Sequence, residues 1–384
     1  MKIALLSEKY TPDIGGLAIS AGRMGHLLAS AGHKVRVFAP SSNLPANKKQ
    51  TLPHSGVSVT RFGTHKRVDD TLVDWFELIV EEHQREPFDL LHAYFLPMAG
   101  FVAAYAGKYL NIPSVVSIRG NDIERAAFDP SKFSHVMYAL QNASAVTTNA
   151  SELAKKAKAF IDREVNLIPN GVDIELFKPM ERNSGLAEVL GLDEGKNKEE
   201  RRMVIGFAGE LREKKGLETL LRAYAQVNKK QPVVLLIVGE VRTGEDKKLF
   251  DEIKASIPDS QIIVTGTVAH KDLPAYYALM DVFVHPSLRD GMPNAILEAM
   301  ACEKAVIATP VGGAIDVIED GKNGRFVPLN DVDKLAETIL QLLSQPENRQ
   351  IMSKSARDAV LRQFTLEKEL QANLKIYKSL GVAK

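Results

Sequence analysis

Residues 281–301 read DVFVHPSLRDGMPNAILEAMA and predict a buried strand, a short loop and a helix. Val282–Val284 form an apolar run of residues that favour β structure, and Pro286 ends the strand. Pro293 suits the first turn of a helix, where its missing N–H costs nothing. Small and apolar residues continue that helix to Ala301. A strand that passes through a loop into a helix is the building unit of α/β proteins.

The start of this helix is a candidate anion site. The backbone N–H groups near Gly291–Asn294 are expected to point out of the helix start, where unpaired amides and the helix dipole attract anions. Asp290 lies eight positions before Glu298, so one carboxylate is on the loop and one on the helix. Carboxylates accept hydrogen bonds from vicinal hydroxyls, so the arrangement suits a phosphate between two hydroxyl-bearing rings, as in a nucleotide sugar. The alternative is an ordinary strand–loop–helix unit with two solvated acids.

The composition is that of a globular protein with a size sufficient for two domains. The 384 residues are 45% apolar and 25% charged, and the net charge of +1 does not indicate nucleic acid as a partner. The single Cys302 excludes an internal disulfide framework and fits a reducing compartment. The first apolar run, Ile3–Leu6, is too short for a signal peptide, and no run of about 18 apolar residues predicts a membrane span. We therefore expect a cytoplasmic location.

The first half of the chain alternates strands and helices. A strand at Ile3–Ser7, a helix at Leu17–Ala31 and a strand at Val35–Ala39 form a βαβ unit. Gly15 and Gly16 lie in its first loop, where glycines let a backbone approach a ligand, although plain turns use them as well. The full G-x-G-x-x-G is absent, so no dinucleotide fingerprint is indicated. Further strands are predicted at Val57–Arg61, Leu90–Ala93, Ser114–Ile118, Ala145–Thr148 and Val165–Ile168, with helices at Val73–Glu86, Met98–Tyr109, Phe133–Asn142 and Ser151–Phe160; Ser41–Ser55 and Gly63–Asp70 are expected to be loops.

A second alternation begins at Met203, after a turn-rich boundary, PNGVD, at residues 169–173. Its predicted strands are Val204–Ala208, Val233–Val238, Ile262–Thr265, Val282–His285, Ala305–Ala308 and Phe326–Val327, and its predicted helices are Gly216–Asn228, Asp246–Ser256, Asp272–Met280, Pro293–Ala301, Asp316–Ile318 and Val332–Ser344, with a helical tail at Glu347–Leu380. These patterns predict two Rossmann-like parallel-sheet α/β domains facing a central cleft, which is the default ligand site. We expect an N-terminal domain of residues 1–173, a linker of 174–202 with a short helix, a second domain of 203–364 and a C-terminal helix within 365–384.

Loops that follow strands carry the other candidate residues. Arg212, Lys214 and Lys215 place three cations in FAGELREKKG, residues 207–216, where they suit a diphosphate or form a solvated helical turn. Asp122 follows another strand and either accepts from an acceptor hydroxyl or caps the next helix. His92 ends a strand, as a structural histidine or as an acceptor contact.

The signature of retaining glycosyltransferase family 4 resembles the segment at 290–301. It is an acid, seven residues and a glutamate, ending in EAMA, and Asp290 stands where that family usually has Glu. The string at 207–216 is similar to that family's G-R-L-x-x-x-K-G, with Lys215 at the lysine that binds the diphosphate. Glu210 replaces the family's arginine. Three alternatives follow: Arg212 reaches the phosphates instead, Glu210 orients Lys215, or Glu210 binds a hydroxyl.

The resemblance extends over nearly the whole chain. Strings similar to the family's occur in its order, and SIRGND has Arg119 where the family has a histidine that contacts the transferred sugar. The resemblance implies that the backbone near Val268 meets the nucleobase. Arg119, which cannot act as a base at neutral pH, would bind sugar hydroxyls or an acidic acceptor. The other matching strings are IPNGVD at 168–173, TPVGG at 309–313 and DGKNGRFVP at 320–328.

The implied activity is that of a retaining glycosyltransferase with the GT-B fold, which moves a hexosyl unit from a UDP- or GDP-linked sugar to an unidentified hydroxyl acceptor. Lys215 and Arg212, with amides at Gly16, would stabilise the leaving diphosphate, and Glu298 would bind the ribose. The sugar would be held by Asp290, Gly291, Met292, Pro293 and Asn294. The resemblance implies that the N-terminal domain binds the acceptor and that the C-terminal helix at 365–384 returns to that domain.

Neither a metal nor another cofactor is expected, because no DxD-type acid cluster lies in a plausible place and no His/Cys spacing is present. Asp69 and Asp70 are expected in a polar turn before a helix. A non-catalytic nucleotide-sugar-binding subunit, and an epimerase or phosphorylase on the same fold, remain alternatives.

The helix with Lys155, Lys156 and Lys158 is either a solvated face or a weak peripheral contact with an anionic membrane.

Overall fold

The computed structural model describes residues 1–13, 15–192 and 201–382. Those residues form two compact units. One comprises Met1–Asn170 together with Leu366–Lys384, and the other comprises Gly171–Thr365. The predicted linker at 174–202 contains a short helix, Ser184–Val189, and its residues 193–200 lie outside the described part.

The N-terminal unit is built on an eight-stranded sheet. Its strands are β1 Lys2–Ser7, β2 Lys34–Ser41, β3 Lys49–His54, β4 Val57–Gly63, β5 Leu90–Tyr94, β6 Ser114–Ile118, β7 Ala145–Thr148 and β8 Asn166–Leu167. They lie in the order β3-β4-β2-β1-β5-β6-β7-β8 and are parallel except for β3, which is antiparallel to β4. β1 buries five of its six residues because helices cover both faces of a sheet of this kind. The unit's first six α-helices are α1 Gly16–Ser30, α2 Val68–Arg85, α3 Phe101–Leu110, α4 Asn121–Glu124, α5 Pro130–Asn142 and α6 Ser151–Ala157.

Two predicted loops of this unit were wrong. β3 lies within the predicted loop Ser41–Ser55, and all six of its residues are exposed. An edge strand of this kind is held by backbone pairing and not by side-chain burial, so its sequence, KQTLPH, has no apolar period. α2 begins at Val68, so Asp69 and Asp70 lie in its first turn and not before it. The helix dipole favours carboxylates at that position.

The second unit contains a six-stranded, fully parallel sheet. Its strands are β9 Met203–Ala208, β10 Val233–Val238, β11 Gln261–Val264, β12 Val282–His285, β13 Ala305–Ala308 and β14 Arg325–Phe326, in the order β11-β10-β9-β12-β13-β14. Its α-helices are α7 Ser184–Val189, α8 Leu217–Lys230, α9 Glu245–Ala255, α10 Leu273–Leu279, α11 Asn294–Ala301, α12 Ala314–Val317, α13 Val332–Ser344 and α14 Pro346–Gln363. Apolar side chains fill both faces of the sheet. β9 and β12 are neighbours at its centre, so the loops that follow them lie side by side.

The helical tail is divided at Phe364 and Thr365. After α14 the chain enters α15, Leu366–Ser379, which packs against the N-terminal unit. There Arg23 donates to Glu369 at 2.8 Å, and the Tyr377 hydroxyl lies 2.6 Å from Nδ1 of His92. The last helix is therefore part of the N-terminal unit's core. Over the described part of the chain, no helix combines the length and apolar character needed to cross a membrane.

Candidate active site

The loop after β9 is held against the loop after β12 by a glycine. Gly216 has φ 76°, and a Cβ at this position would lie 2.0 Å from the carbonyl oxygen of Pro286. Only glycine allows both this backbone conformation and this approach. The N–H of Leu288 donates to the carbonyl of Lys214 at 2.9 Å, which ties the two loops together. This contact brings Lys215 to the loop that carries Asp290.

Lys215 and Asp290 form an ion pair that is largely withdrawn from solvent. The carboxylate also faces Nε2 of His285 at 3.0 Å and accepts from the N–H of Gly291 at 3.0 Å. Burial raises the pKa of Asp290, but the charge of Lys215 and the hydrogen bonds from His285 and Lys215 outweigh it and hold the pKa well below its usual range. Asp290 is therefore ionised at neutral pH.

His285 was not among the predicted site residues, yet it supports Asp290 from the end of β12. Its ring is buried and stacks against the rings of Phe207 and Phe283, at 6.2 and 6.3 Å between centroids. Burial lowers its pKa, so the ring is neutral at pH 7. Because a carboxylate only accepts, Nε2 carries the proton that faces Asp290. The sequence did offer one signal for this role: His285 is a polar residue at the end of an otherwise apolar, buried strand.

Glu298 lies on α11 with 7% of its surface exposed. It accepts from the Tyr277 hydroxyl at 2.9 Å, and Nε2 of His270 lies 3.2 Å from its other oxygen. Burial and the neighbouring charge of Glu298 raise the pKa of Tyr277 well above its usual value, so the hydroxyl stays a donor. Neither partner was predicted, because both come from α10 and the turn before it, far from Glu298 in sequence.

The predicted anion site at the start of α11 differs from the structure in detail. Pro293 is the residue before the helix and not its first turn, which begins at Asn294. The N–H of Gly291 is directed to Asp290, and Pro293 has none to offer. Gly312 has φ 55°, and a Cβ there would lie 2.1 Å from the carbonyl oxygen of Asp290. The TPVGG segment therefore packs directly against the backbone of the loop that carries Asp290.

Glu210 pairs with Arg212 at 3.1 Å, whereas Lys215 pairs with Asp290. The suggestion that Glu210 orients Lys215 was therefore wrong. Arg212 brings its charge to the same loop as Lys215, partly compensated by Glu210. Val268 follows β11 and is packed at the edge of the apolar core.

The N-terminal unit holds the remaining predicted residues. Gly15, with φ 127°, precedes α1, and a Cβ on Gly15 or Gly16 would meet nothing within 4 Å. Asp122 is fully buried and accepts from the N–H groups of residues 119, 120 and 123. It lies within α4, whose N-cap is Gly120, so the helix-capping alternative was wrong. Burial raises its pKa to about 6. An acceptor hydroxyl would compete with these backbone donors.

His92 is fully buried, and both ring nitrogens are engaged. Nδ1 lies 2.6 Å from the Tyr377 hydroxyl, and Nε2 lies 2.8 Å from the Ser117 hydroxyl. Burial and the nearby charge of Arg119 lower its pKa to about 3, so the ring is neutral. His92 is therefore a buried structural histidine, as one of the two alternatives predicted, and neither ring nitrogen is left to contact an acceptor.

No set of three or more His, Cys, Asp or Glu side chains in residues 1–13, 15–192 and 201–382 is grouped so that it could hold a metal ion. The charges at the candidate site are instead those of Lys215, Arg212, Asp290 and Glu298. Lysine and arginine can neutralise phosphate, and carboxylates can accept from hydroxyls.

Two family models match the chain. Residues 14–176 match "Glycosyltransferase Family 4", and residues 192–359 match "Glycosyl transferases group 1". Among similar proteins is the N-acetyl-alpha-D-glucosaminyl L-malate synthase of Bacillus anthracis, at 24% identity over 95% of this chain and 94% of that protein. A GDP-mannose-dependent alpha-mannosyltransferase of Mycobacterium tuberculosis is 25% identical over 94% of this chain and 92% of its own.

The solved structure of Anabaena HepE in complex with UDP has the same fold. Its TM-score is 0.82 at 22% identity, with 99% of this chain and 100% of that chain covered. Two parallel-sheet α/β domains of this kind are the GT-B architecture, as the sequence predicted. With one family model on each half, the chain belongs to the group 1 glycosyltransferases of the family 4 type.

Proposed function

We propose that this glycosyltransferase moves a hexosyl unit from a UDP- or GDP-linked sugar to an acceptor hydroxyl, with retention of configuration and without a metal. The observation that carries the proposal is the Lys215–Asp290 ion pair beside the start of α11, with Glu298 buried on the same helix. The relatives' names, which include GDP-mannose, and the UDP complex of HepE support a nucleotide-linked donor.

Each part of a nucleotide sugar has a matching group in the second unit. Lys215 supplies positive charge for the diphosphate, in a half-buried position where charge–charge attraction is stronger than in water. Glu298 is held by Tyr277 and accepts from the ribose hydroxyls. Asp290, which stays ionised, accepts from hydroxyls of the transferred sugar once Lys215 turns to the phosphates. The backbone beside Val268 meets the base.

Stabilisation of the leaving diphosphate is the main catalytic contribution in this proposal. Fixed charges aimed at developing negative charge commonly supply the greatest share of an enzyme's rate enhancement. The acceptor attacks the face from which the diphosphate departs, and a departing phosphate oxygen takes the acceptor proton. No protein nucleophile is assigned, because this route needs none: the acceptor oxygen itself forms the new bond.

The test is donor binding and donor hydrolysis over a panel of UDP-, GDP-, ADP- and dTDP-sugars. Lys215→Ala should lower the affinity for the preferred donor by about 10- to 100-fold, because a charge-assisted hydrogen bond contributes about 1.5–3 kcal/mol. Glu298→Ala should also lower this affinity. Lys254→Ala, an exposed lysine on α9, is the matched control and should bind as the wild type does.

The outcomes separate the parts of the proposal. Absence of binding by any nucleotide sugar at millimolar concentration contradicts the donor assignment. Proton NMR of the first product anomer tests retention, and turnover that stops on addition of EDTA contradicts the metal-free reaction.

A further inference from the structure

Arg119 occupies an unusual position at the carboxyl end of β6. Its guanidinium carbon lies 4.1 Å from the centroid of the Tyr94 ring, and Nη1 donates to the side-chain oxygen of Asn170 at 3.1 Å. Its Nε is buried and has no hydrogen-bond partner among the described residues. Stacking on an aromatic face and a hydrogen bond fix the plane of the guanidinium.

The side chains that contact this guanidinium, those of Tyr94 and Asn170, are neutral. Tyr94, Asn149 and Asn170 are all buried, and Asn149 donates to the same Asn170 oxygen at 3.4 Å. His92, one strand away, has a pKa of about 3 and carries no charge at pH 7. Among the described residues, no carboxylate lies within ion-pair distance of Arg119.

Two acids of the same unit, Asp122 and Glu369, are engaged elsewhere. Asp122 accepts three backbone N–H groups, including that of Arg119 itself. Glu369, which lies near Tyr94, receives two hydrogen bonds from Arg23, at 2.8 and 3.2 Å. A half-buried cation without a counter-charge costs free energy that an ordinary fold avoids. Such a cost is recovered when an anion binds.

We propose that Arg119 is an anion-recognition residue and that a substrate of this enzyme carries a carboxylate or phosphate that docks on its guanidinium. The planar fork suits both groups, because two parallel N–H donors match two oxygens. The orientation is set in advance by Tyr94 and Asn170, so little rotamer freedom is lost on binding. The inference rests on the proposed function, since it takes the anion to be part of an acceptor or of the donor's sugar.

The experiment measures the binding of acidic probes and their neutral counterparts to the full chain by ligand-observed NMR. The pairs are L-malate with malamide and glycerol 3-phosphate with glycerol, in the presence of saturating UDP or GDP to cover the diphosphate site. A second arm compares the affinity for UDP-glucuronate with that for UDP-glucose. The first arm reports an acceptor anion, and the second reports an anion on the transferred sugar.

The wild type should bind the acid of at least one pair about 10- to 100-fold more tightly than its neutral counterpart, as one or two charge-assisted hydrogen bonds imply. Arg119→Gln should abolish that preference, and Arg119→Lys should retain part of it. Arg125→Gln removes an exposed arginine that directly follows α4 and should behave as the wild type. The unfolding temperature of each variant shows whether it is folded.

The inference is overturned if folded Arg119→Gln keeps the wild-type preference, or if no acid in either arm is preferred. Nucleoside diphosphate binding by the same samples is a separate readout. If no nucleoside diphosphate binds, the proposed donor is contradicted. The inference about Arg119 holds even then, provided that Arg119→Gln removes the preference for the acid.

Discussion

Gly216 offers the sharpest test of how the candidate site is assembled. Gly216→Ala would place a Cβ 2.0 Å from the Pro286 carbonyl oxygen, so the two loops must separate by about 1 Å or more to restore van der Waals contact. Separation breaks the Leu288–Lys214 hydrogen bond and moves Lys215 from Asp290. We expect this variant to lose donor affinity by at least about tenfold, since a charge-assisted hydrogen bond contributes about 1.5–3 kcal/mol.

Alanine at Gly216 also strains the left-handed backbone conformation, and Gly321→Ala is the control for this strain. Gly321 has φ 78°, almost that of Gly216 at 76°, but a Cβ there meets nothing within 4 Å. Both alanine variants carry the cost of a left-handed conformation, about 1–2 kcal/mol. Gly216→Ala adds the lost loop contacts, about 2–4 kcal/mol for one neutral and one charge-assisted hydrogen bond.

Calorimetry and donor titration check both parts. The excess of about 2–4 kcal/mol lowers the unfolding temperature of a domain of this size by about 4–16 °C beyond that of Gly321→Ala. Gly321→Ala should bind donor as the wild type does. Equal unfolding temperatures and equal donor affinities in the two variants would refute the view that the close loop contact positions Lys215.

Three further outcomes are expected. The pKa of Glu8 is raised to about 7 from 4.5 by burial, so the folded state holds the proton more tightly than the unfolded chain; stability should fall as the pH rises from about 4.5 to 7, and Glu8→Gln should flatten this dependence in thermal unfolding. Burial raises the pKa of Cys302 to about 12, so iodoacetamide at pH 7.5 should modify it only after unfolding. Tyr377→Phe leaves Nδ1 of His92 without its partner and should cost about 1–3 kcal/mol in chemical denaturation, whereas Tyr109→Phe, at an exposed ring, should cost little.

The predicted elements that agree with the structure share strong local patterns. β6, β7, β10, β12, β13 and α13 were predicted with their observed bounds. Each strand is a short run rich in apolar or β-branched residues, and α13 has a clear amphipathic period. The elements that were predicted wrongly also have a physical reason. β3 is polar and fully exposed, so its strand conformation comes from pairing with β4, which no local pattern records.

The candidate site shows the same division. Lys215, Asp290 and Glu298 were predicted as site residues from their charge and their positions after strands and on a helix. The structure brings Lys215 and Asp290 into contact across 75 residues of chain. His285 and Tyr277 were not recognisable, because their roles depend on which carboxylate they face. The pairing of Glu210 with Arg212, and not with Lys215, also depended on the observed side-chain positions.

The sequence by itself determined the two α/β halves, their order of strands along the chain and the family to which the chain belongs. These follow from short-range periodicity and from motif spacing, which are local properties of a chain. Only the tertiary structure decided which charges meet and which stay unpaired. Asp290 gained Lys215 and His285, whereas the Arg119 guanidinium stacks on Tyr94 and has no ion-pair partner among the described residues. Ion pairing depends on distances of about 4 Å between residues far apart in sequence.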